Sequence, residues 1–152
     1  MTNDQIENQD FVYVTYIKTS AEKLWDALTQ PEFTRQYWFG VDVVSDWQTG
    51  SAMTYLRNGE RTVEGKVLAA NRPKLLSYTF REVSGDAAHE TPTKVTLEIE
   101  PEIGTETVRL TVTHTDFVPN SKHRPKIAGG WPAVLSGLKS FLETGETLKF
   151  EQ

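Results

Sequence analysis

With 152 residues, 38% of them apolar, the chain can bury one continuous core without disulfide or metal support. Its net charge of −5, from 16 basic and 21 acidic residues, argues against a broad electrostatic surface for nucleic acid or anionic membrane. The absence of cysteine excludes a disulfide framework, a thiol nucleophile and thiolate zinc sites. Taken in chain order, the opening "MTNDQIENQ" is polar and lacks an apolar signal core, and no later apolar run approaches the roughly 20 residues that span a bilayer. The expectation is a flexible tail over residues 1–9, a single domain over 10–152, and a cytoplasmic location.

"FVYVTYIK" (11–18) is rich in β-branched and aromatic residues and predicts a strand with Phe11, Tyr13, Thr15 and Ile17 on one face. Ser20 offers a hydroxyl cap to a helix in which Ala21, Leu24, Trp25 and Leu28 recur at helical spacing. Pro31 can open a second short helix that ends before Gly40. Period-two segments then follow: "VDVVSDW", "SAMTYLR", "RTVEGKVLAA", "KLLSYTFREV", "TKVTLEIEP" and "ETVRLTVTHT", separated by turn residues such as Thr49-Gly50 and Asn58-Gly59. "NSKHRPKIAGG" (120–130) reads as the longest structureless connection. It leads to a helix that starts near Trp131, with Pro132 in its first turn.

In that last helix Trp131, Val134, Leu135, Leu138, Phe141 and Leu142 share an arc of roughly 120°. Gly137 falls at the margin of the stripe and Gly145 inside it. Each interior glycine costs about 1 kcal/mol relative to alanine, so close backbone approach or space is expected beneath them. The order predicts an α+β fold, a curved antiparallel meander of about seven strands covered by the C-terminal helix.

Four stretches carry a resemblance over nearly the whole chain: "IKTSAEKLWDALTQPEFTRQYWFG", "GKVLAANRPKLLSYTF", "VRLTVTHTDF" and "GGWPAVLSGLKSFLETGE". Together they resemble the SRPBCC or START-like helix-grip superfamily, in the branch similar to the C-terminal domain of the activator of heat-shock protein 90 ATPase. The resemblance implies a sheet wrapped around the long helix, with a cavity between them that holds hydrophobic molecules or lipids in many relatives. Superfamily members include lipid carriers, hormone receptors, polyketide cyclases and chaperone co-factors. The leading expectation is therefore non-catalytic binding of a hydrophobic or amphipathic small molecule or lipid. The alternatives are a protein-interaction module that contacts a chaperone, and a polyketide-cyclase-like enzyme.

Alternation turns Tyr13, Met53, Tyr55, Tyr78, Phe80, Leu97, Leu110 and Val112 inward, where Trp131, Val134, Leu135 and Leu138 of the helix join them. Such a stripe serves a packed core as well as a cavity. The resemblance adds Trp38 and Phe39 at the cavity rim. His114 and Asp116, two apart, suggest an imidazole oriented by a carboxylate, but no serine or cysteine elbow accompanies them. Lys122, Arg124 and Lys126 of "KHRPK", with His114, form a candidate polar rim that would attract an anionic head group. No catalytic residue, metal site or cofactor is expected.

Overall fold

The computed structural model describes residues 10–150, so the N-terminal tail expected over 1–9 lies outside the described residues. Strand β1 (Phe11–Lys18) is followed by helices α1 (Ala21–Thr29) and α2 (Pro31–Tyr37). Strands β2 (Val41–Val44), β3 (Ala52–Arg57), β4 (Glu60–Asn71), β5 (Leu75–Glu82), β6 (Thr93–Pro101) and β7 (Thr107–Thr115) come next, with a 3-10 turn at Asp86–His89. Helix α3 (Arg124–Thr144) closes the chain. The strands form one antiparallel sheet in the order β1-β7-β6-β5-β4-β3-β2, which is the α+β helix-grip arrangement expected.

Local chemistry accounts for the elements. Ser20 accepts a hydrogen bond from the Lys23 N–H at 3.2 Å and caps α1. Helix α2 opens on Pro31 and is tied to β2 by the buried Thr34 hydroxyl, which donates to the Val41 carbonyl at 2.9 Å and accepts from the Val43 N–H at 3.1 Å. Register β1–β7 sets Tyr13 beside Val112 and Thr15 beside Leu110, so the inward faces of both strands meet the same core. That core includes Ile17, Leu24, Met53, Tyr78, Leu97, Leu110, Val112, Leu135 and Leu138, all buried.

Helix α3 departs from expectation at both ends. It begins at Arg124, so most of the segment read as a loop is helix, and Pro132 lies inside it. The reason is a second start signal. Ser121 accepts hydrogen bonds from the N–H groups of His123 (3.0 Å) and Arg124 (3.1 Å), and Pro125 occupies the first turn, where its missing N–H costs nothing. Glu90 holds this cap in place, accepting from the Ser121 hydroxyl at 2.5 Å and the Lys122 N–H at 2.6 Å.

The two glycines also exchange the roles expected of them. Gly145 is not on a buried face; it is the C-cap, with φ of 86° and open space around any added Cβ. Gly137 makes the close approach instead. A Cβ there would stand 3.1 Å from Thr147 Oγ1 and 3.2 Å from the Tyr37 carbonyl oxygen.

Candidate functional site

Between the sheet and the N-terminal half of α3 the core leaves a space of about 80 Å³, lined by Trp38, Tyr55, Phe80, Lys126, Ile127, Gly130, Trp131 and Val134. Trp38 bridges the aromatic rings, with centroids 5.2 Å from Tyr55 and 5.5 Å from Trp131 in edge-to-face contacts. Phe80 meets Tyr55 edge-on at 5.4 Å. Behind this wall the Tyr55 and Tyr78 hydroxyls share a buried hydrogen bond of 2.6 Å. Burial pushes both phenols above their ordinary range, so they stay protonated.

A chain of polar side chains runs beside the space. Trp131 Nε1–H can only donate, and it donates to His114 Nδ1 at 3.1 Å. The neutral imidazole therefore carries its proton on Nε2, 2.6 Å from Thr93 Oγ1, and the threonine hydroxyl donates onward to the Phe80 carbonyl at 3.1 Å. His123 Nε2 lies 3.4 Å from the same Thr93 oxygen, and its Nδ1 meets Glu82 Oε2 at 2.5 Å. Lys126 reaches the other Glu82 oxygen at 3.4 Å.

The electrostatics follow from burial. His114 is fully buried, and that desolvation, with the nearby His123 ring adding to it, lowers its pKa to about 3. Burial alone would raise Glu82, but the hydrogen bond and charge of His123 and the Lys126 ammonium outweigh it, and the carboxyl titrates below its ordinary value.

The residues nominated from sequence divide into groups. Trp38, Tyr55, Phe80, Trp131 and Val134 line the space. Met53, Tyr78, Leu97, Leu110, Val112, Leu135 and Leu138 are core side chains packed beyond it, and Tyr13 is half-buried against that core. Phe39 packs against Phe150 with centroids 5.7 Å apart. Of the polar rim, Lys126 lines the mouth, Lys122 is exposed, and Arg124 stands over the Phe117 ring at 5.7 Å. His114 is no rim residue: it continues the inward stripe of β7 into the core. Nor does it face Asp116, which is exposed just past the end of β7 with φ of 72°.

Glu82, Thr93 and His123 were not nominated. The alternation of β5 and β6 fixes which way the Glu82 and Thr93 side chains leave the sheet, but His123 stands just before α3 and no local motif links three residues this far apart in the chain. Among the described residues no cluster of His, Cys, Asp and Glu could hold a metal ion. A larger open groove of about 710 Å³ lies at the opposite end, among Lys18 at the end of β1, Lys23 of α1 and turn residues such as Pro73, Lys74 and Thr105.

The sheet and the gripped helix define a helix-grip protein of the SRPBCC or START-like kind. The sequence model of the Activator of Hsp90 ATPase homolog 1-like proteins matches residues 18–143, and the chain belongs to that family. No curated protein matches the sequence. Among solved structures, a protein from Mesorhizobium loti is similar at 26% identity and a TM-score of 0.74, over 88% of this chain and 96% of the other. The Aha1 dimer from Colwellia psychrerythraea has the same fold at 20% identity and a TM-score of 0.74, over 90% of this chain and 98% of that one. An HSP90 activator from Plasmodium falciparum shares the fold at 15% identity and a TM-score of 0.72, over 88% and 95%.

Proposed function

We propose that the protein binds a small amphipathic molecule between the sheet and the N-terminal half of α3, in the aromatic space beside Trp38 and Trp131. The observation that carries this reading is a residual volume bounded by large aromatic rings, with Lys126 at its mouth and Gly130 leaving its helical wall bare. Some 80 Å³ accommodates a few water molecules rather than a ligand, so uptake requires this part of α3 to move outward. The helix is weakest there. Gly129 and Gly130 are poor helix formers, and Pro132 cannot donate a hydrogen bond back to Ala128.

The ligand chemistry follows from the walls: an apolar, ring-sized body for the aromatics and an anionic end for Lys126. Catalysis is not assigned. Both His114 nitrogens are engaged and its proton affinity is far too low for a general base near neutral pH.

The test is titration with 8-anilinonaphthalene-1-sulfonate, an anionic aromatic probe, followed through dye emission and tryptophan quenching. Saturable one-site binding that Gly130→Leu weakens by about tenfold or more, with the fold intact, is the expected result. Equal binding by both proteins would remove this site from consideration. The family match and the largely filled core favour a second reading, in which the surface contacts a chaperone. Under that reading Gly130→Leu changes nothing and the native partner is a protein.

A further inference from the structure

Strand β1 ends the sheet, and before Tyr16 its free side lacks the usual protections of an edge. It runs eight residues from Phe11 to Lys18 with no proline, no bulge and no inward charge. Its outward face carries Val12, Val14 and Tyr16, which are 57%, 48% and 49% exposed. In antiparallel pairing both backbone polar groups of a residue point to the same side, and alternate residues point to alternate sides. The Tyr16 carbonyl accepts from Lys139 and the Lys18 N–H donates to Glu143 at 2.9 Å, so the even-numbered residues of β1 face away from β7. Helix α3 covers the edge at that end. The N–H and C=O groups of Val12 and Val14 make no hydrogen bond to any described residue.

We propose that this edge joins a second copy of the chain by antiparallel β1–β1 pairing about a two-fold axis at Val14. The strand is self-complementary in that register. With Val14 opposite Val14, Val12 stands opposite Tyr16 of the second copy and Asp10 opposite its Lys18, all on the outward face. Apolar side chains meet at the centre, and a carboxylate meets an ammonium at each rim. A slip of one residue would turn the hydrogen-bonding groups of one strand away from the other. A slip of two would set Asp10 against Tyr16 and lose both charge pairs. Lys139 and Glu143, whose side chains are 42% and 27% exposed, swing off the Tyr16 carbonyl and the Lys18 N–H to admit the Val12 N–H and the Asp10 carbonyl of the second copy. The contact is isologous, so it closes at two chains and does not propagate.

Sedimentation velocity of the full chain over a concentration series tests this. The expected result is a monomer–dimer equilibrium. Asp10→Lys turns two attractive pairs into repulsive ones and weakens the dimer by roughly tenfold or more, and Asp10→Lys combined with Lys18→Asp restores it. Val14→Pro removes an edge N–H that has no partner within the described chain, and yields a monomer with an unchanged far-ultraviolet circular dichroism spectrum. If Val14→Pro fails to fold, the exposed charge variants still decide the matter. A wild-type chain that stays monomeric at its highest soluble concentration overturns the proposal and leaves the edge to some other partner. So does a dimer indifferent to charge reversal at Asp10.

Discussion

From Arg124 to Trp131, α3 meets the sheet through a chain of hydrogen bonds and leaves about 80 Å³ unfilled. From Leu135 onward, the same helix meets its neighbours through fully buried leucines and a glycine pressed against the Tyr37 backbone. The first contact depends on direction, because each donor must find its acceptor, and it can be undone by a proton. The second is buried by shape, its hydrogen bonds to β1 from Lys139 and Glu143 lying out at the surface, and a change of volume undoes it. One helix thus holds a region suited to opening and a region suited to anchoring. A lid needs both.

The largest expected effect comes from breaking the polar contact. His114→Ala removes a buried ring and strands the Trp131 N–H, at a cost of about 3–5 kcal/mol. The sharper comparison is between two larger replacements. Leucine fills the volume but satisfies neither neighbour. Glutamine can accept from Trp131 and donate to Thr93. His114→Gln is therefore expected to unfold at higher denaturant than His114→Leu, although leucine is the better core residue, and the reverse order would show that packing rather than hydrogen bonding holds this half.

Acid is the second probe of the same difference. The folded pKa of His114, about 3, lies below the value of about 6.5 expected in the unfolded chain. Between those values the unfolded state binds more protons, so stability falls as pH falls. Between pH 6.5 and 5 the loss from this group is about 2 kcal/mol. Glu82 extends the trend downward: its folded pKa is depressed, so its contribution is present above the unfolded carboxylate range and is lost as pH falls through the folded value. Unfolding midpoints at pH 7, 6 and 5 should decline in order, with hydrogen exchange rising first in residues 124–131. A flat profile would mean that His114 binds its proton as readily in the folded protein as in the unfolded chain.

Much of this architecture was legible in the sequence, for physical reasons that also explain what was not. Alternation located six strands after the helices because each buries one face, and Ser20 located α1 because a helix start needs an acceptor. The start of α3 was misplaced because the chain offers two prolines, each compatible with a first turn, and only the Ser121–Glu90 contact selects Pro125. That contact spans 31 residues and leaves no local trace. His114 was placed at a rim although its phase, continuing Leu110 and Val112, pointed inward. Its partners come from β6 and α3, and His123 and Glu82 are 41 residues apart. A periodicity reading sees faces but cannot see which polar groups meet across them.

The glycines of α3 are the smallest and most discriminating probe of the comparison. Gly129 lies in the half proposed to open, and nothing stands within 4 Å of a Cβ added there. Gly129→Ala is therefore expected to stabilise the fold by up to about 1 kcal/mol through helix propensity alone. Gly137 lies in the half that anchors. The Thr147 hydroxyl could rotate away from an added side chain, but the Tyr37 carbonyl could not, because the Tyr37 hydroxyl is itself bonded to the Ala27 carbonyl at 2.8 Å. Gly137→Leu is expected to cost about 1–3 kcal/mol despite its better propensity. Gly145 separates strain from packing: it has room for a side chain but a left-handed backbone, so Gly145→Ala should cost about 1 kcal/mol and Gly145→Asn less. Denaturant midpoints for the four variants check the ordering. If Gly137→Leu proved as harmless as Gly129→Ala, the anchoring half would be loose, and the division of α3 into two kinds of contact would fail.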